Sequence, residues 1–188
     1  MRKKLSKSHV LDKCRNDNFF GLMGYEMKEY YNQDGIRVRS STKADVAYLK
    51  DHLRESDKQE IWASHNKTPE ESLKIGLQKS IFCCTVENSN PIAMFGIVPE
   101  NILGQEASVW MLATDDLKKI KRRFARNSKV FVHMMLEYYS YLYNFVDDRN
   151  KESIKWLKYL GAKFEEPRPY GKEGKPFRFF SFRREDYV

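Results

Sequence analysis

The sequence predicts an α+β (mixed α/β) domain, in which a central mixed, mostly antiparallel sheet is flanked by helices and preceded by an N-terminal extension. Three observations carry this. Residues 81–87 and 92–98 are apolar, β-branched runs separated by Asn88-Ser89-Asn90-Pro91, the pattern of an antiparallel hairpin. Residues 106–114 and 141–146 are strand-like and lie on either side of a long amphipathic stretch, and strands joined by a helical crossover are usually parallel. Residues 150–160 then read as a further helix, with two short strands after it.

Residues 1–35 form the expected extension: a basic start with Arg2, Lys3, Lys4, Lys7, Lys13 and Arg15, followed by the aromatic run FFGLMGYEMKEYY. The basic part suits either phosphate contacts or a solvated end. The aromatic part is expected to pack on the domain or on another chain. The domain proper is expected over residues 36–188. Ile36-Arg37-Val38-Arg39 alternates as a strand, and Ser40-Ser41-Thr42 caps a helix running to about residue 54. Two more helical pieces follow, at 57–64 and 69–79, the second with Pro69 in its first turn, where a missing N–H costs nothing.

Past the hairpin and the strand at 106–114, Thr114-Asp115-Asp116 opens the long helix. Leu117, Ile120, Phe124, Phe131, Met134 or Met135, and Tyr138 recur at helical spacing and should face the sheet. The strand YLYNFV breaks at Asp147-Asp148-Arg149-Asn150, whose side chains compete with backbone hydrogen bonds. Asn150 caps a helix of about three turns, Ile154, Leu157 and Leu160 make its apolar stripe, and Gly161 stops it. Residues 162–165 and 177–182 read as final strands joined by the loop EPRPYGKEGKP.

Composition narrows the class. The 188 residues suit one domain; 41% hydrophobic content with 12 Phe and 11 Tyr provides an aromatic core, and 32% charged residues with 9 Gly exclude collagen-like and fibrous chains. No apolar run reaches the roughly 18–20 residues of a membrane span, and the start lacks a secretory apolar stretch, so synthesis in the cytosol is expected. Three cysteines, two of them the adjacent Cys83 and Cys84, and four histidines show neither a disulfide framework nor metal-ligand spacing; no metal is expected. A net charge of +8 suits a polyanionic neighbour (nucleic acid, a coenzyme pyrophosphate or an acidic protein surface), and it equally suits a solvated surface.

The motif Asn150-x-x-Ser153-x-x-Trp156-Leu157-x-x-x-Gly161 resembles the closing helix of the GNAT superfamily of N-acetyltransferases, and IRVRSSTKADVAYL is similar to that fold's first strand and helix. More narrowly, VWMLATDD, RRF, WLKYLGA, EEPRPYG and KPFRFF, between Val109 and Phe182, resemble a family of phage proteins related to the internal virion protein A of short-tailed phages. The resemblance implies a GNAT-like fold in which central strands splay to admit acetyl-CoA and the start of the main helix receives its pyrophosphate.

Carried over residue by residue, it places the coenzyme loop at Arg122, Arg123, Ala125 and Asn127, without the family's glycines, and the coenzyme arm beside Asn150 and Ser153. It makes Glu106 the candidate general base. Each has a plainer reading: helix-face charges for the arginines, cap and first-turn serine for Asn150 and Ser153, and a solvated carboxylate for Glu106. Leu157 stands where many members carry a proton-donating tyrosine, and Tyr159 is about 200° around the helix from it. What this implies is a virion-associated or assembly protein of GNAT-like fold, without efficient acetyltransferase activity or a required cofactor, made in the host cytoplasm and carried to the virion. Its partners would be other virion proteins, packaged DNA, or further copies of itself. The alternative is an acetyl-CoA-dependent N-acetyltransferase acting on a host protein or a small amine.

Overall fold

The structure, a computed structural model, describes residues 29–33, 35–101 and 104–187. Its elements run β1 (Glu29–Gln33), β2 (Ile36–Ser40), α1 (Lys43–His52), α2 (Glu55–His65), α3 (Pro69–Lys79), β3 (Phe82–Asn88), β4 (Asn90–Pro99), β5 (Glu106–Ala113), α4 (Leu117–Tyr138), β6 (Tyr141–Asp147), α5 (Lys151–Leu160), β7 (Lys163–Phe164), β8 (Arg168–Tyr170) and β9 (Lys175–Arg183), closed by a 3₁₀ turn at Arg184–Tyr187. The strands form one 9-stranded sheet in the order β1-β2-β3-β4-β5-β6-β9-β7, with β8 on β9. Every pairing is antiparallel except β5–β6, as the helical crossover between those strands requires.

β4 is the central strand: Ile92, Ala93, Met94, Phe95 and Ile97 are all buried, because helices cover both of its faces. On one face Met94 meets Val46, Leu49, Ile61 and Leu73 from α1–α3 and Leu53 from the turn between α1 and α2. On the other, Phe95 and Ile97 join Phe131, Met134 and Met135 of α4, Leu157 of α5 and Phe180 of β9. Full burial of each such side chain contributes about 1.5–3 kcal/mol. The α4 stripe ends one residue early, since Tyr138 is 40% exposed at the last turn.

Local chemistry sets the helix ends. Thr42 with Asp45 and Thr68 with Glu71 form reciprocal capping boxes, and Pro69 occupies the first turn of α3. Asn150 Oδ1 accepts the Ser153 N–H at 3.1 Å, and Gly161, at φ +100°, closes α5 in a left-handed conformation that favours glycine.

Two strands lie outside the sequence expectation. Residues 29–33, assigned there to the extension, pair with β2, and Tyr30 and Tyr31 pack on the core. The rest of the aromatic run and the basic start lie outside the described residues. The presumed loop EPRPYGKEGKP contains β8, an edge strand held by β9; prolines at 167 and 169 hid it, and an edge position is where strand prolines are tolerated. No described helix is long and apolar enough to cross a membrane.

Candidate functional site

β5 and β6 pair only through Glu106–Tyr141, Ala107–Leu142 and Ser108–Tyr143, then separate. β5 stays on β4 to its end and β6 stays on β9, so the sheet divides along this line. Asn144 props the fork: its Nδ2 donates to the Val109 carbonyl at 2.8 Å, and its Oδ1 accepts the Phe145 N–H at 2.7 Å. An amide inside the apolar run YLYNFV was the sequence signal for this role.

The separation opens a cavity of about 410 Å³, mostly apolar. Phe124 and Trp156, stacked at 5.6 Å, line its α4–α5 side together with Leu157, while Trp110 and Gly76 line the opposite side. The Trp110 Nε1 donates to Ser80 Oγ at 2.9 Å, and a Cβ on Gly76 would stand 2.5 Å from the Trp110 ring, so α3 can lie this close to β5 only with glycine there. Tyr170 of β8 lines the cavity and stacks on Phe145 at 4.0 Å. The following Gly171 turns at φ +70° directly against the Ala63 carbonyl, which ties this wall to α2. On β5, alternation with β4 turns the main-chain N–H and C=O of Val109, Met111 and Ala113 toward β6. Beyond the fork those of Met111 therefore face the cleft.

The wide end of the cleft is closed by α2. Arg54 N donates to the Ala113 carbonyl at 2.9 Å, and Asp57 Oδ2 accepts the Ala113 N–H at 2.8 Å. Asp57 Oδ1 takes the Arg54 guanidinium at 2.7 Å, and Arg54 also reaches Ser153 Oγ at 3.3 Å. Glu60 accepts Asn150 Nδ2 at 3.3 Å. Burial, and then the charge of Asp57, pushes the Glu60 carboxyl up to about 7. Burial raises Asp57 as well, against the pull of Arg54.

The candidate residues fall in different places. Asn150 and Ser153 sit at the cleft mouth; Asn150 is a helix cap and also a ligand of Glu60. Arg122, Arg123, Ala125 and Asn127 lie in the second and third turns of α4, where amides belong to the helix ladder, and not at its start. At the true start the amides are already engaged. Asp116 N donates to Thr114 Oγ1, and the amides of Leu117, Lys118 and Lys119 bond back to the carbonyls of Thr114, Asp115 and Asp116. The Asp115 and Asp116 carboxylates flank them. Glu106 is exposed at the paired end of the fork, away from the cavity lining. Leu157 lines the cavity, and Tyr159 lies outside it, with Lys129 Nζ 4.5 Å from its ring centre. Arg54, Asp57 and Glu60 escaped sequence reading because they resemble the ordinary polar positions of a helix.

A parallel strand pair that splays between two helical layers can be compared directly with solved structures. Ribosomal-protein-S5-alanine acetyltransferase from Vibrio fischeri superposes with a TM-score of 0.62 at 15% identity, covering 86% of this chain and 99% of that one. Spermidine N-acetyltransferase from Vibrio cholerae, solved with CoA and spermine, gives 0.58 at 13%, covering 82% and 99%. A GNAT-family acetyltransferase from Bacillus anthracis gives 0.60 at 9%, covering 85% and 98%. The chain has the GNAT fold. Residues 94–167, which run from the middle of β4 to just before β8, match the family described as bacteriophage T7 probable scaffold protein Gp13. A search of curated proteins returns no significant match. In this chain the wide end of the fork is filled by Arg54 and Asp57.

Proposed function

We propose that this is a phage assembly protein, virion-associated in the manner of the internal virion proteins, which uses a GNAT fold without efficient acetyltransferase activity. The match of residues 94–167 to a phage scaffold family carries the reading. Three features of the cleft agree with it. Asp57 and Arg54 occupy the β5 edge at Ala113, where an extended coenzyme arm would pair; the amides at the start of α4 are engaged and faced by two carboxylates; and Leu157 cannot donate a proton. The protein is made in the host cytoplasm and joins other virion proteins during assembly; contacts to packaged DNA and self-association belong to the same proposal. Quantitative mass spectrometry of procapsids and virions tests it: defined copies in either are expected, and absence from both overturns it.

A working N-acetyltransferase is the second reading. Glu60, with a carboxyl near 7, is matched to general-base work at neutral pH, and the Met111 N–H faces the apolar cleft, where it could polarise a carbonyl. Release of free thiol from acetyl-CoA in the presence of polyamines or host extract, lost on Glu60→Gln, would establish it.

A further inference from the structure

We infer that the exposed face shared by α4 and α5 is a binding surface for the phosphate backbone of duplex DNA, without sequence preference. Residues 117–129, LKKIKRRFARNSK, are rich in lysine and arginine and contain no acidic residue. Lys118 and Lys119 are neutralised by Asp115 and Asp116, at 2.7 and 2.6 Å. Arg122, Arg126 and Lys129 follow at i, i+4 and i+7 as one exposed stripe, with no carboxylate paired to them among the described residues.

The neighbouring helix adds Lys155 and Lys158, also exposed. The Phe124–Trp156 stack and the Lys129–Tyr159 contact hold the middle of α4 beside the second half of α5, so both sets of cations belong to one surface. Like charges at i, i+4 destabilise a helix, and a polyanion relieves that repulsion.

The same surface is poorly made for other anionic partners. The apolar side of α4 is spent on the sheet, which leaves no apolar wedge for a membrane and no apolar centre for a protein interface; Tyr159, 47% exposed, is the aromatic between the cation rows. Arg122 to Lys129 spans about 10 Å at 1.5 Å per residue, and duplex DNA carries a negative charge about every 1.7 Å of its axis, so several phosphates lie within reach. The inference deepens the DNA contacts of the assembly proposal by naming their surface, and the two fail separately: absence from virions would leave DNA binding by this face intact, and loss of DNA binding would leave packaging intact.

The test is fluorescence anisotropy with a labelled duplex of arbitrary sequence, using the full chain over a range of salt. Five phosphate contacts on this face contribute about −4.5 to the slope of log K against log salt. The Arg122→Glu/Arg126→Glu/Lys129→Glu variant should bind at least about ten-fold more weakly, with a slope shallower by about 3. The corresponding triple glutamine variant should move in the same direction and guards against misfolding, which circular dichroism monitors. Basic residues at the chain start add a background common to all variants, so the difference is the reading. Lys43→Glu/Lys79→Glu/Lys172→Glu, which makes the same change in net charge elsewhere, should leave the slope unchanged. An equal loss in that control, no loss in the α4 variants, or equally tight binding of polyglutamate would overturn the inference.

Discussion

Asp57 Oδ2 accepts the main-chain N–H of Ala113 at 2.8 Å, so a side chain from α2 stands where a ligand strand would pair with the end of β5. The same carboxylate holds Arg54 at 2.7 Å. Asp57→Ala leaves the Ala113 amide without its acceptor and takes the carboxylate from a largely buried guanidinium that keeps only Ser153 Oγ, and should destabilise the protein by about 3 kcal/mol, measured by urea denaturation. Asp57→Asn, which keeps an acceptor, should cost less.

Glu60 links stability to pH. Burial pushes its carboxyl up to about 7 from an ordinary 4.5, so between those values the unfolded chain is ionised while the folded one still holds the proton. The folded state binds more protons there, and this contribution to stability falls as pH rises from about 4.5 to 7, then levels off. Thermal melts of Glu60→Gln across that window should lack this component of the fall.

Asp45 joins three elements. Its carboxylate accepts both Arg39 Nη1 and Nη2, at 2.7 and 2.8 Å, and the Thr42 N–H, while Glu87 of β3 takes Arg39 Nε at 3.0 Å. Burial alone would raise the Asp45 carboxyl; Arg39 and Thr42 outweigh it and hold it below the usual range. Asp45→Ala removes the Asp45 half of the α1 capping box and one of the two carboxylates on Arg39, with an expected loss of about 3 kcal/mol by urea denaturation. A loss below 1 kcal/mol would show that the Arg39–Glu87 pair suffices.

Gly76→Ala should destabilise by about 1–3 kcal/mol, because the added methyl meets the Trp110 ring at 2.5 Å. Trp110→Leu, which frees that space, should make the Gly76→Ala step nearly neutral in a double-mutant cycle read by thermal melting.

What the sequence reveals here is what neighbouring residues decide. The α4 stripe, the Asn150 cap, the Gly161 stop and the parallel β5–β6 pair follow from spacing and turn chemistry. β1 was hidden because EYYNQ has little strand character of its own and is held by β2. The cleft mouth was hidden for another reason: Glu60 meets Asn150 across 90 positions and Arg54 meets Ser153 across 99, so no local pattern records either pair. Arg122 to Asn127 fall in the second and third turns of α4, because hydrogen bonds from Thr114 to Asp116 begin the helix earlier than a motif match at Arg122 implies.

In the proposed reading, acetyl-CoA meets a fork whose wide end Arg54 and Asp57 already fill. Isothermal titration of the full chain with acetyl-CoA tests it most directly. No heat of binding up to millimolar coenzyme is the predicted result; micromolar binding would contradict it.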